Sequence, residues 1–331
     1  MRFLLVLALL VLAPWVGEFL LGNISVRQLI ALPFLVPLYG GGALLVREVA
    51  RRTGRGWPAI LLLATAYGVI EAGLVDQSMF NLTFEELDQV GVTPVPWLGV
   101  SAYNATAFVL GHTIWSIGVP IAMVEMWARD LRTTPWLGPW GLAATVPFYL
   151  LGCWIIFRDL RASEEFLASP TQLTAAALVA AVLIALAFVV PKRRPVGRLR
   201  VPPAWVVGIA SFVLASAFFA RPETWGGFWA GMVIVGLAAP LVAWAARQAA
   251  WTVRHHLALV AGALLTYAWG GFVLTDIFEP DDPVRWIGNG AFALFAVALL
   301  LFTLWRVRSE RPPPRVLGPS PAAAQPADHG Q

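Results

Sequence analysis

The stretch 57-WPAILLLATAYGVIEAGLVD-76 decides the fold. From Trp57 to Val75 it carries a single charge, Glu71, and a helix needs roughly 20 mostly apolar residues to cross a ~30 Å hydrocarbon core. Lipid offers no hydrogen-bond partners, so such a segment must pair its backbone groups internally as a helix. Comparable runs recur on either side, giving ten spans near residues 3–21, 26–46, 57–76, 101–128, 135–157, 171–190, 203–220, 226–246, 255–275 and 285–305. The predicted fold is all-α, a polytopic transmembrane helical bundle of about ten spans over residues 1–308. The Pro- and Ala-rich segment 309–331 has too little apolar bulk to offset its ordering entropy, which predicts a disordered cytoplasmic tail.

Composition agrees. The 331 residues are 59% hydrophobic and 13% charged, with a mean hydropathy of +0.72; a soluble domain carries about 25% charged residues. The net charge of +4 and pI near 9.7 do not point to nucleic acid, because the basic residues lie in short clusters between apolar runs. Their expected partner is the lipid bilayer. Cys153 is the only cysteine, so a disulfide framework is excluded. Of the 23 basic residues one is Lys, and Ala, Gly, Pro and Trp are abundant, a composition that reads as codon bias in a high-GC bacterium and places the chain in a bacterial plasma (inner) membrane.

Loop charge sets the expected orientation. Eighteen basic residues fall on one side, at Arg2, Arg47/Arg51/Arg52/Arg55, Arg129/Arg132, Lys192/Arg193/Arg194/Arg198/Arg200, Arg247/Arg254 and Arg306/Arg308/Arg311/Arg315. Five remain on the other, Arg27, Arg158, Arg161, Arg221 and Arg285. The larger group marks the cytoplasm, so both termini are predicted cytoplasmic. The first span resembles a signal peptide, but no A-x-A site precedes Pro14, and Glu18 with Gly22–Asn23 reads as the outer end of a retained helix. Between Asp76 and Val100, Thr83-Phe84-Glu85-Glu86 has a capping-box pattern and predicts a short surface helix, in a segment that either rests on the membrane or covers an outward-facing cavity.

Ionisable groups inside spans are costly and are functional candidates by default. Glu71 lies ~20 Å and His112 ~25 Å from the cytoplasmic edge at 1.5 Å per residue, so the two are predicted to meet across neighbouring helices. Gly68, Gly73 and Gly111 would let those helices approach closely. Tyr67 precedes Glu71 by one turn, while Asn104, Phe108, His112 and Ser116 follow one another every four residues, setting a polar stripe against a polar stripe. With Asp76 at the outer end, Tyr67, Asn104 and Ser116 are the candidate substrate-binding residues. A Glu–His pair in low dielectric can share a proton, activate a water or bind a cation; an interhelical hydrogen bond that only fixes packing is the plain alternative. One Glu and one His do not make a metal centre, which needs three or more converging ligands, and no cofactor motif is present. Glu125 with Arg129, and Arg47 with Glu48, read as interfacial pairs, His255-His256 as interfacial, and the run Tyr39-Gly40-Gly41-Gly42 as a packing surface.

Glu71 on one helix and Phe108-Val-Leu-Gly-His112 on the next resemble the first two motifs of the CAAX-protease-like intramembrane family (CPBP/ABI), EExxxR and FxxxH. The resemblance implies Glu71 as the base and His112 as its partner in activating water for peptide hydrolysis within the membrane. Ala72 stands at the second glutamate of the pattern and Asp76 at its arginine, and the family's later HxxxN does not occur. Three activities are therefore expected to compete: handling of a small solute, ion or proton through a protonatable Glu71–His112 pair, a Glu/His-dependent intramembrane protease-like enzyme, and a non-catalytic membrane scaffold.

Overall fold

The computed structural model describes residues 1–192 and 197–308, apart from the side chains of Glu86 and Arg129. The expectation of disorder in 309–331 and the Arg129 half of the predicted pair with Glu125 lie outside the described residues. Nine described helices are long and apolar enough to cross a bilayer: α1 (Arg2–Phe19), α2 (Val26–Arg52), α3 (Trp57–Val75), α4 (Ala102–Trp127), α5 (Pro139–Ser163), α6 (Pro170–Val189), α8 (Trp225–Ala245), α9 (Val253–Phe278) and α10 (Pro283–Arg308). Between α6 and α8, α7 (Ala204–Phe219) has 16 residues, a length of ~24 Å. The chain is an all-α, membrane-embedded, multi-pass protein.

Helix starts follow local chemistry. Ser25 and Ser169 form capping boxes with Gln28 and Gln172, and Ser101 Oγ accepts a hydrogen bond from the Asn104 N–H at the start of α4. These side chains satisfy amide donors that a helix leaves unpaired in its first turn. Thr252 caps α9 in the same way, with His255 as the returning side chain; His255 also bonds the Pro202 carbonyl and is buried, deeper than the interfacial placement expected for it.

Burial sorts the helices. In α3 67% of the apolar stretch lies inside the protein, against 11% in α5 and α8. α1 to α4 and α9 therefore form the centre, where Leu9, Phe19, Leu38, Ile60, Ile117 and Leu264 are fully buried or nearly so. α5, α6, α8 and α10 present Trp154, Val182, Leu237 and Leu294 outward, as lipid-facing surfaces do.

Gly68 fixes the crossing of α3 and α4, since a Cβ there would lie 2.7 Å from the Val109 carbonyl oxygen. The other two glycines expected at this crossing serve different contacts: Gly73 faces Ala176 of α6, and Gly111 faces Tyr267 of α9. The glycine run of α2 does pack closely, Gly40 on the Leu10 backbone and Gly42 on the Tyr67 ring.

The segment 77–101 corrects one expectation. No surface α-helix forms at Thr83; Phe84–Glu86 is a single 3-10 turn, with Glu85 in the left-handed region at φ 52°. The Thr83 hydroxyl that should cap a helix instead bonds Asn81 Oδ1 at 3.0 Å, an Asx-type turn that competes with helix initiation. A two-residue antiparallel pair, Pro94–Val95 with Val100–Ser101, closes the loop. The segment is packed down: Phe80, Asn81 and Phe84 are buried, and Gln77 accepts a hydrogen bond from the Ala168 N–H.

Candidate functional site

Four central helices widen from α to π geometry, near the end of α1 and α3 and near the middle of α2 and α4: Trp15–Phe19 in α1, Val36–Gly40 in α2, Glu71–Val75 in α3 and His112–Gly118 in α4. Proline explains three of them. Pro14 precedes the first segment, Pro37 lies in the second and Pro120 follows the fourth by two residues; each lacks the N–H that an α turn requires. In α3 the widened turn closes with the Asp76 N–H on the Glu71 carbonyl, five residues back, at 3.0 Å; no proline lies there, and we find no local cause. Each widened segment carries a polar side chain of one cluster: Glu18, Tyr39, Glu71, and His112 with Ser116. π segments inside α-helices occur frequently at functional sites.

Glu71 and His112 meet as the depth argument expects. His112 Nε2 lies 2.5 Å from Glu71 Oε2, and Glu71 is 2% exposed. The contact is one of position rather than a directed hydrogen bond, because Glu71 Oε2 has no aligned donor among the described residues. Ser116 Oγ engages the other ring nitrogen, Nδ1, at 3.1 Å and fixes the ring. Asp76 closes the group: one carboxylate oxygen from each acid and one ring nitrogen of His112 lie within 4.8 Å of one another. Helix depth and spacing predict two converging ligands, and the folded chain brings three.

Tyr67 packs its ring 6.1 Å from that of His112, and its buried hydroxyl has no hydrogen-bond partner among the described residues. Asn104, also a candidate, stands apart. It is eight residues from His112, ~12 Å along the helix, and its backbone N–H bonds Ser101 Oγ at the helix cap.

Two members escaped the sequence reading. Tyr39 donates its hydroxyl hydrogen to Glu18 Oε1, while Glu71 Oε1 lies 3.4 Å from the same oxygen. One phenolic hydrogen cannot serve two carboxylates. Glu18 Oε2 is satisfied by the Asn23 amide at 3.1 Å, so the shortfall falls on Glu71. The signal for Glu18 was present, an acid in a span, but neighbouring Gly22–Asn23 assigned it to a helix end. Tyr39 gave no signal beyond its place beside the glycine run.

A narrow cleft reaches the cluster at Asp76, lined by Val75, Gln77, Phe157, Leu160, Arg161, Glu164 and Phe166. On charge the site is acid-rich: Glu18, Glu71 and Asp76 are faced by one imidazole, and even as imidazolium it leaves two negative charges without a partner. Burial of unpaired charge is costly enough that protons or a bound cation must make up the difference.

A second buried cluster lies toward the other end of α2 and α4. Arg51 grips Glu125 with two hydrogen bonds of 2.7 and 2.6 Å, Arg47 Nε lies 3.2 Å from the same carboxylate, and Arg47 Nη1 bonds Glu48 at 2.5 Å. Glu48 also accepts the Trp136 and Leu137 N–H groups, and the Arg47 guanidinium covers the Trp136 ring at 3.4 Å. Glu125 and the Arg47–Glu48 pair, expected at the interface, thus belong to one buried network, because the turn 129–138 folds over the helix ends and gives Arg47 the carbonyls of Leu131, Arg132 and Thr134. Arg47 and Glu48 are fully buried.

Compared with known protein families, with curated proteins and with solved structures, the chain matches none of them. Fold and site together define its class: a polytopic helical membrane protein with a largely enclosed acid–imidazole cluster among its central four helices.

Proposed function

We infer that the protein binds and moves a small cation or cationic solute, with Glu71 as the charged anchor, Asp76 at the mouth and His112, Tyr67 and Ser116 completing the pocket. The observation that carries this reading is the acid excess: a low-dielectric site with three carboxylates, Glu18, Glu71 and Asp76, and one imidazole favours a cationic guest, and a narrow cleft borders it at Asp76. The excess of basic residues on one side supports both termini in the cytoplasm, and the Arg-, Ala- and Gly-rich composition supports a bacterial inner membrane, an orientation in which the site would open outward. The test is ion flux into dye-loaded proteoliposomes under separate NaCl, KCl and MnCl2 gradients. Flux with at least one of these salts, lost in Glu71→Gln, is expected; equal flux in wild type, variant and empty vesicles would end this reading.

The contact between Glu71 and His112 also favours a second reading, the protease-like one, in which the carboxylate draws a proton from water and the imidazole assists. It requires cleavage of a membrane-borne peptide that disappears in both Glu71→Gln and His112→Ala, without ion flux in the wild type.

A further inference from the structure

We propose that Glu71, Asp76 and His112 form a binding site for one divalent transition-metal ion, of the class of Zn2+, Mn2+ or Fe2+. The proposal rests on the cation-handling reading for its biological meaning but not for its geometry. Three donors of the required kinds, two carboxylate oxygens and one imidazole nitrogen, lie within 4.8 Å of one another. Donors held ~2.0–2.2 Å from an ion lie up to about 4.4 Å apart across it, so side-chain adjustments of less than about 1 Å close this set on one ion. Adjacent donors around such an ion sit about 3 Å apart, so the 2.5 Å contact between Nε2 and Oε2 opens by about half an ångström as the ion enters.

Three further observations point to a ligand. Glu71 Oε2, in a residue 2% exposed, accepts no aligned hydrogen bond although it faces the cluster. Its near neighbour is His112 Nε2 at 2.5 Å, and a cation set between the two would be coordinated by both. His112 has the arrangement of a metal-bound histidine, one nitrogen at the site and the other held by a hydrogen-bonding group, Ser116 Oγ. The Asp76 carboxylate is prepared similarly: Oδ1 accepts the Ser78 N–H at 2.9 Å, leaving Oδ2 for a ligand, and the cleft meets the cluster at this residue.

Charge and donor type choose the ion. A divalent ion neutralises Glu71 and Asp76, while Glu18 remains occupied by Tyr39 and Asn23. Mg2+ and Ca2+ prefer oxygen donors alone, whereas imidazole with carboxylate suits Mn2+, Fe2+ and Zn2+. The vacant positions around the ion would be taken by water or a transported ligand.

The experiment uses the full chain, purified in detergent, stripped with EDTA and titrated with CoCl2, whose visible absorption reports its ligands. One equivalent of Co2+ per chain is expected, displaced by ZnCl2 and not by MgCl2 at equal concentration. Asp76→Asn and His112→Gln should abolish the band, and Ser116→Ala should weaken Co2+ binding by about tenfold, as loss of a partner behind a ligand does. Melting of the stripped variants at the wild-type temperature shows that they fold; should either fail, the wild-type stoichiometry and Ser116→Ala still decide. Absence of stoichiometric Co2+ in the wild type, equal uptake in wild type and both folded variants, or displacement by MgCl2 overturns the proposal. The two readings fail separately. Flux of Na+ or K+ lost in Glu71→Gln, with no Co2+ bound, removes the metal site and keeps cation handling; Co2+ bound through these residues with no flux of any ion does the reverse.

Discussion

The Arg47–Glu48–Arg51–Glu125 network, buried throughout, and the Glu18–Glu71–Asp76–His112 cluster, in which only Glu71 is fully enclosed, share helix α4 yet are opposite in design. In the first, two arginines face two glutamates, and the other donors find backbone carbonyls or an aromatic face except Arg47 Nε, which lacks an aligned hydrogen bond but lies 3.2 Å from the Glu125 carboxylate. In the second, acids outnumber bases, one hydroxyl is shared between two carboxylates, and a buried oxygen lacks a hydrogen bond. A closed charge balance is what a structural clamp needs; an open one is what a binding site keeps for its guest.

Stability measurements can break this contrast. Removing Glu125 (E125A) leaves Arg51 and Arg47 buried without their shared partner, and loss of one member of a buried pair costs about 3–5 kcal/mol. Unfolding of the detergent-solubilised protein should show a loss of that size. Gly68→Val comes next: its side chain must displace Val109 of α4, an overpacking cost of about 1–3 kcal/mol, and it should also weaken any ligand that Glu71 and His112 hold together. Glu71→Gln should leave the ligand-free melting temperature unchanged or raised, because it removes one of three crowded acids. A drop as large as that of E125A would show that both clusters are clamps.

The smallest effect belongs to the surface. Arg27 bonds Asp282 at 3.0 and 3.1 Å and holds the Asp282 carboxyl below its ordinary value through that hydrogen bond. A carboxylate depressed in the folded state stabilises above its unfolded value and loses that contribution as pH falls through the folded one. The melting difference between wild type and Asp282→Asn should therefore be small at pH 7, shrink in 1 M salt, and vanish well below the ordinary aspartate range, near pH 4.

The sequence carried the fold through run length alone, because the bilayer imposes one thickness on every span. It carried the meeting of Glu71 and His112 because depth is linear in residue number and the two helices are consecutive. Ser116 and Tyr67 followed from one-turn spacing. What it could not carry was contact between helices distant in sequence. Glu18 and Tyr39 reach the site from α1 and α2, and Glu125 meets Arg51 from a helix 74 positions away in sequence. Local spacing names pairs on one helix and is silent about faces on two. The glycines show the same limit: all three were recognised as contact residues, but only Gly68 touches the helix expected of it.

The four widened turns have a further consequence. Each accommodates about one residue more than an ordinary turn, and one residue amounts to ~100° of rotation. Deleting a single residue from such a turn would restore an unbroken spiral and swing everything beyond it by more than a quarter circle. In α4 that would redirect the N-terminal part, from Ala102 to the imidazole, toward different neighbours. The chain is therefore far more sensitive to the loss of one position in these turns than to most replacements within them.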